Sequence, residues 1–114
     1  MAKSSRRSSN PIVSYAPRAD ADLSDIYYYT LCRWGEAQAE DYAGFLIDAA
    51  ERIAHHPENA TSVPNVHGRR SIVAKWKNAR QGHRIFFRET EDGIIVLRIL
   101  HTSMNWQEHL DFDD

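Results

Sequence analysis

The first sixty residues show a short β pattern followed by two helical patterns. Ile12, Val13 and Tyr15 are β-branched or aromatic, which predicts a short strand. Pro17 suits the first turn of a helix, and apolar residues then recur at spacings of three and four, as on one face of an α-helix. This predicted face consists of Leu23, Ile26, Tyr27, Thr30 and Trp34.

A second helix is predicted to begin at about Glu36, directly after Gly35, which can adopt the left-handed conformation that ends a helix. Pro57 ends this second helical pattern. Its apolar positions are Ala39, Ala43, Leu46, Ala50, Ile53 and Ala54. Because the link between the two helices is so short, they are predicted to form an antiparallel hairpin, in which the small alanines allow a close approach.

The second half of the chain changes to strand patterns after a predicted loop at residues 58–68. Residues 71–76 alternate between apolar and polar side chains, and residues 85–87 predict a central strand. Residues 91–93 predict a hairpin turn, and residues 94–100 are nearly all apolar, as in a strand buried on both faces. We therefore predict an α+β fold of order β-α-α-β-β-β. The helical hairpin packs on one face of a small antiparallel sheet, and the other face is partly exposed.

The length of 114 residues allows one domain, predicted at residues 11–110. We interpret residues 1–10 as a disordered, basic and serine-rich tail and residues 111–114 as an acidic, frayed end. No segment approaches the roughly 20 apolar residues that span a bilayer. The single cysteine, Cys32, excludes an internal disulfide and fits a reducing compartment. The sequence therefore predicts a cytoplasmic protein that does not enter a membrane.

Charge is divided unequally between the two halves of the chain. Three basic residues stand against nine acidic ones between positions 18 and 58, whereas eight basic residues stand against four acidic ones between positions 69 and 110. The formal net charge of −2 hides this division. The second half is therefore predicted to carry a basic surface that could meet an acidic partner.

The six histidines raise the question of a metal site. They stand at positions 55, 56, 67, 83, 101 and 109, without the tight spacing of a ligand set, and the chain has neither a cysteine pair nor a His-Glu-x-x-His motif. Glycine-rich loops for phosphate or dinucleotide binding are also absent from the sequence. We predict neither a metal nor a cofactor.

Two groups of motifs resemble the ParE branch of the RelE/ParE superfamily of toxins. The first group lies in the predicted helical hairpin, at residues 22–26 (Asp-Leu-Ser-Asp-Ile), 29–30 (Tyr-Thr), 34–39 (Trp-Gly-Glu-Ala-Gln-Ala) and Tyr42. The second group comprises residues 85–88 (Ile-Phe-Phe-Arg), 98–101 (Arg-Ile-Leu-His), Met104 and 109–110 (His-Leu). The resemblance spans about residues 12–110, and the order and spacing of the motifs are more specific than any one of them.

The resemblance implies a RelE/ParE-type fold and the toxin role of a type II toxin–antitoxin system. It further implies DNA gyrase as the target, a cognate ParD-like ribbon-helix-helix antitoxin, and a hetero-oligomer that contacts DNA only through the antitoxin. The chain departs from the family pattern at three places. The connection at residues 70–83 is longer than usual, Phe87 stands where tyrosine is frequent, and Ser103 stands where a basic residue is common.

Cations and aromatic residues supply the predicted interaction sites. The predicted target-binding residues are Arg69, Arg70, Lys75, Lys77, Arg84, His101 and Trp106. The predicted antitoxin-binding residues are Tyr28, Tyr29, Trp76, Arg80 and Arg88. Charges of this kind steer the encounter of partners, and exposed aromatic side chains anchor interfaces. The sequence leaves open that the cations form only a solvated rim and that the two tryptophans belong to the core.

Cleavage of mRNA on the ribosome, as in the RelE branch, is the alternative function. That reaction requires a general base, a general acid and cations around the phosphate. His101 is the candidate acid or base, with Lys75, Arg84 and Arg98 as cations, but no second proton-transfer group is apparent beside it. His101 could instead hold the C-terminal tail through hydrogen bonds. A third possibility is a member that binds its antitoxin and is no longer toxic.

Overall fold

The computed structural model describes residues 10–109, which form two helices on one face of a five-stranded sheet. The helices are α1 (Pro17–Trp34) and α2 (Glu36–His55), and the strands are β1 (Ile12–Tyr15), β2 (Thr61–Ser62), β3 (Arg70–Ala74), β4 (His83–Glu89) and β5 (Gly93–His101). Two short 3-10 helices, Pro57–Asn59 and Trp106–His109, follow α2 and β5. The predicted acidic end at residues 111–114, and all but Asn10 of the predicted N-terminal tail, lie outside the described residues.

The strands are arranged in the order β1-β5-β4-β3-β2. The β2–β3, β3–β4 and β4–β5 pairs are antiparallel, whereas β1 runs parallel to β5, from Ile12 opposite Gly93 to Tyr15 opposite Val96. The predicted α+β class and the helical hairpin on one face are confirmed. The sheet is mixed rather than wholly antiparallel, because β1 pairs with the last strand, a long-range choice that the local pattern of β1 does not encode.

The main core lies between the helical hairpin and the sheet. Leu46 and Ile53 of α2 pack there against Ile85, Phe87 and Ile99, all of which are buried. Residues from both predicted helical faces contribute, which confirms the two amphipathic patterns. Thr30 on α1 is also buried, and its hydroxyl donates a 2.7 Å hydrogen bond to the carbonyl oxygen of Ile26.

Trp34 is the exception on the predicted apolar face of α1. It is the last residue of α1, directly before Gly35, and 62% of its side chain is exposed. Gly35 has a φ of 98°, so the predicted positive-φ end of the helix is confirmed. The chain turns there, and Trp34 is left at the mouth of the groove described below.

The opposite face of the sheet carries a second, smaller core. Phe86 and Leu100 are buried there together with Val63 from the loop after α2, and Val66 and Trp106 pack against them. The ring centroids of Phe86 and Trp106 are 5.6 Å apart. The chain after β5 thus covers one end of a face that the sequence analysis predicted to be partly exposed.

An ion pair fastens α1 to β5. The carboxylate of Asp22 accepts hydrogen bonds from Arg98 Nε at 2.8 Å and Arg98 Nη2 at 3.0 Å, and also from the backbone N–H of Ile99 at 2.8 Å. Each of the two charged side chains is only 13% exposed. The pairing register of β4 and β5 shifts beside this contact, between Phe86 and Phe87. Asp22 therefore accepts the hydrogen bond of a backbone N–H group that lies next to an irregular point of the sheet.

No helix in the described part of the chain is both long enough and apolar enough to cross a membrane.

Candidate functional site

A groove of about 690 Å³ opens between α1, the start of α2 and the ends of β4 and β5. We call it the hairpin groove. Three large side chains that line it are strongly exposed: Tyr29 and Trp34 at 62% each and Met104 at 41%. Exposed apolar side chains clustered around a concave surface are typical of a protein–protein interface. The hairpin groove can therefore receive the apolar face of a partner.

An aromatic cluster forms the wall of the hairpin groove that faces the connection between β3 and β4. The ring of Trp76 lies 5.5 Å from that of Tyr42 and 6.5 Å from that of Phe45, measured between centroids. The ammonium group of Lys77 lies 4.4 Å from the centroid of the Trp76 ring. These contacts tie the long connection to α2, so that the wall is already in place before a partner binds.

Two histidines that line the hairpin groove stand side by side. His83 begins β4, His101 ends β5, and the two are direct cross-strand partners whose ring centroids are 5.2 Å apart at an interplanar angle of 86°. The hydroxyl of Tyr42 is 2.6 Å from His83 Nδ1. Burial lowers the pKa of His83 to about 4, and His101 adds to this effect. His83 is therefore a neutral imidazole at physiological pH.

His83 and Tyr42 were not among the residues selected from the sequence. The signal that could have found His83 is its position at the start of one strand while His101 ends the next strand of the same hairpin. In an antiparallel pair those two positions meet. His101 thus has a second potential proton-transfer group beside it, contrary to the expectation from the sequence.

The free energy of unfolding is predicted to fall below pH 7 because of His83. As the pH falls from about 7 to 4, the unfolded chain binds a proton at this histidine, whose ordinary pKa is 6.5, while the folded chain excludes it. His83 should therefore lower the free energy of unfolding by about 2–3 kcal/mol over this window. Urea unfolding at several pH values would measure the loss, which His83→Gln should remove. His55→Gln, at an exposed position, is the matched control. Parallel pH profiles for His83→Gln and the wild type would contradict the prediction.

The predicted target-binding cations are spread over several surfaces. Arg70 donates a 2.8 Å hydrogen bond to the carbonyl oxygen of Pro57 and lies 3.5 Å from a carboxylate oxygen of Glu89. Arg69 lies on the loop before β3, beside His67. Lys75 lines a separate groove next to the end of α2. These side chains do not converge on His101.

Arg84 and Trp106 of the same predicted set are brought together away from the hairpin groove. The guanidinium of Arg84 lies 5.6 Å from the centroid of the Trp106 ring, and Arg84 Nη1 donates a 3.1 Å hydrogen bond to the hydroxyl oxygen of Ser71. Both residues belong to the side of the sheet that carries the smaller core. A cation stacked on a half-exposed tryptophan is a suitable anchor for a second, separate interface.

Of the predicted antitoxin-binding residues, Tyr29 and Trp76 line the hairpin groove and the others do not. Tyr28 is as exposed as Tyr29 but packs edge-to-face against Tyr27, outside the groove. Arg80 is exposed on the connection between β3 and β4, and Arg88 lies within β4. Arg98, one of the cations proposed for a ribonuclease, is held in the buried pair with Asp22. Within residues 10–109, no three histidine, cysteine or acidic side chains are grouped as a metal site would require.

Comparison with known proteins relates this chain to one family. The family model described as ParE toxin of type II toxin–antitoxin system, parDE, matches residues 13–106. Toxin ParE1 of Caulobacter vibrioides is 37% identical over 93 residues, which cover 82% of this chain and 91% of that protein. Toxin ParE1 of Mycobacterium tuberculosis is 34% identical over 97 residues, with coverages of 83% and 93%. A solved chain described as the chromosomal ParDE TA system from P. aeruginosa has a TM-score of 0.63 at 21% identity. The superposition covers 77% of this chain and 91% of that chain.

Proposed function

The chain belongs to the ParE toxin family of type II toxin–antitoxin systems, and from this premise we propose that it inhibits DNA gyrase and is neutralised by a cognate ParD-like antitoxin of the ribbon-helix-helix class. The solved structural relative, described as a ParDE system, supports a toxin–antitoxin assembly. The toxin acts as a protein inhibitor rather than as an enzyme, in the cytoplasm where gyrase works. The antitoxin supplies the contact with DNA.

The observation that carries the antitoxin part of the proposal is the hairpin groove. It exposes Tyr29, Trp34 and Met104 on a concave surface, against which an amphipathic helix of the antitoxin would bury its apolar side chains. The aromatic wall around Trp76 limits the groove on the other side. A partner that covers these side chains removes an apolar patch from water, which stabilises the complex and accounts for their exposure in the single chain.

The target part of the proposal assigns gyrase contact to the surface outside the hairpin groove. Arg84 stacked on Trp106 offers a cationic and aromatic anchor there. Separate surfaces for antitoxin and target would let the antitoxin bind the toxin before gyrase is released. Cations elsewhere, such as Lys75, steer the approach to an acidic partner.

The ribonuclease alternative gains one feature from the structure and lacks another. His83 beside His101 supplies two imidazoles for proton transfer. Of the cations proposed for that chemistry, Arg98 lines the groove but its charge is paired with Asp22. Arg84 stacks on Trp106 and Lys75 lines a different groove. A phosphorane-like transition state needs positive charge next to the acid–base pair. Gyrase inhibition is therefore the better supported function.

A supercoiling assay with purified gyrase tests the proposal. The chain at micromolar concentration should abolish supercoiling and accumulate cleaved DNA, and the protein encoded beside its gene should reverse both effects. The double variant Tyr29→Ala, Trp34→Ala should still inhibit gyrase but bind that protein about 100-fold more weakly, since two anchors are lost. Tyr28→Ala, equally exposed but outside the groove, is the matched control and should be reversed like the wild type.

Each other outcome of this assay identifies a different function. Ribosome-dependent cleavage of mRNA without an effect on gyrase would establish the ribonuclease alternative. Binding of the neighbouring protein without either activity would identify a member that is no longer toxic. Equal loss of neutralisation in Tyr28→Ala and the double variant would contradict the assignment of the hairpin groove.

A further inference from the structure

His83 and His101 form a polar patch in the mainly apolar lining of the hairpin groove. We propose that His83 and His101 together form a subsite for one carboxylate of the antitoxin, an inference that rests on the hairpin groove being the antitoxin site. An aspartate or glutamate within the apolar face of the antitoxin segment would bind there. The Nε2–H groups of the two imidazoles would donate the hydrogen bonds.

The Nδ1 atoms of both histidines are already occupied. His83 Nδ1 lies 2.6 Å from the hydroxyl oxygen of Tyr42. His101 Nδ1 lies 2.7 Å from the hydroxyl oxygen of Ser103 and accepts a 3.1 Å hydrogen bond from the backbone N–H of Ser103. Within residues 10–109, the Nε2 atoms are therefore the polar atoms of these rings that remain for a ligand. Both rings line the hairpin groove.

The hydrogen bonds also determine which nitrogen carries the proton. A backbone N–H can only donate, so Nδ1 of neutral His101 is the unprotonated nitrogen and Nε2 carries the hydrogen. Burial raises the pKa of Tyr42 to about 12, so its hydroxyl stays protonated and can donate to Nδ1 of the neutral His83. With Tyr42 as the donor in this contact, His83 has the same tautomer. Two N–H donors consequently stand side by side on paired strands.

The surrounding charges are compatible with an acidic ligand. Asp22 and Arg98 neutralise each other in the wall of the groove, and the raised pKa of Tyr42 keeps its hydroxyl uncharged at neutral pH. Asp25 is the acidic side chain left at the mouth of the groove, where it is exposed and therefore screened by water. A partner lysine or arginine would gain nothing from two N–H donors, whereas a carboxylate accepts both. Hydrogen bonds with one ionised partner are roughly twice as strong as neutral ones.

A carboxylate also differs from a neutral acceptor in its response to pH. It attracts the imidazolium form of His101, in which Nδ1–H donates to the hydroxyl oxygen of Ser103 and no longer accepts from the Ser103 backbone N–H, while Nε2–H donates to the ligand. Binding of a carboxylate is therefore coupled to proton uptake, and affinity should rise as the pH falls from 8 to 6. A backbone carbonyl or a side-chain amide at the same place would gain much less from the extra charge.

Calorimetric titration of the chain with the protein encoded beside its gene tests the subsite. His101→Leu should weaken binding about tenfold at pH 7.5 and should abolish the increase in affinity between pH 8 and 6. His101→Gln keeps an N–H donor near the position of Nε2 and should bind within about threefold of the wild type, without the pH response. His83→Gln tests the second donor in the same way, with circular dichroism used to verify folding.

The outcomes separate this inference from the proposed function. If His101→Leu binds with wild-type affinity, the carboxylate subsite is overturned. If the Tyr29→Ala, Trp34→Ala variant nevertheless loses tight binding, the groove assignment remains intact. Weakened binding without a pH response would point to a neutral acceptor and would also overturn it. No binding of the neighbouring protein to the wild type would contradict the proposed antitoxin itself. Retained binding in His101→Gln with a tenfold loss in His101→Leu is the supporting result.

Discussion

Replacing Asp22 by alanine should lower the free energy of unfolding by about 3–5 kcal/mol. The variant leaves the guanidinium of Arg98 in a site where only 13% of its side chain is exposed, without the carboxylate that receives its Nε and Nη2 hydrogens. It also removes the acceptor of the Ile99 backbone N–H. Both losses lower stability, because a buried charge and a buried backbone donor lose the carboxylate that accepted their hydrogen bonds.

Urea unfolding of two variants measures the effect. Asp25→Ala, one turn further along the same helix and exposed, should change stability by less than about 0.5 kcal/mol. Asp22→Asn keeps one acceptor oxygen and should fall between the two alanine variants. If Asp22→Ala and Asp25→Ala were equally stable, Asp22 would act only as a negative charge near the helix N-terminus.

The second large effect is expected at Gly93, the residue that faces Ile12 across the β1–β5 pair. A Cβ atom at this position would lie 1.9 Å from the carbonyl oxygen and 2.6 Å from the backbone nitrogen of Ile12. Those atoms belong to the backbone of the neighbouring strand and cannot move without displacing β1. Gly93→Ala should therefore destabilise the fold by about 3 kcal/mol or more, through loss of the parallel pair.

Gly44→Ala is the matched control for this substitution. Gly44 lies within α2, and an added Cβ would meet nothing within 4 Å. Alanine is favoured over glycine in a helix, so this variant should be more stable by about 0.5–1 kcal/mol. Thermal unfolding should therefore give shifts of opposite sign for the two glycine variants. A small or positive shift for Gly93→Ala would contradict the close approach of β1 and β5.

The helical hairpin was predictable because its signals are local. The apolar spacing from Leu23 onward, the proline at position 17 and the glycine at position 35 each act within a few residues of their place in the chain. The family resemblance, which depends on the order of several motifs along the chain, is confirmed by the family model that matches residues 13–106. The parallel pairing of β1 was not predictable, because it joins Ile12 to Gly93, almost the whole domain away along the chain.

The candidate site was predictable only in part, since its geometry depends on contacts between distant segments. Tyr29, Trp76 and His101 were selected for exposure or chemistry, and they line one groove. His83 and Trp34 join them only through the strand register and the turn at Gly35. Two of the selected cations, Arg70 and Arg84, are held away from the groove by Pro57 and Trp106, contacts that no sequence pattern indicates.

The pairing of the first strand with the last has a consequence for biosynthesis. On the ribosome, the hairpin of α1 and α2 can form from local contacts as it emerges, but β1 remains without its partner until residues 93–96 have been translated. Arg98 and His101 arrive later still, so the Asp22 pair and the histidine pair form only after β5 has been translated. A prematurely terminated chain therefore lacks the surface that a groove-binding antitoxin recognises. If the antitoxin binds the hairpin groove as proposed, such fragments should not deplete it.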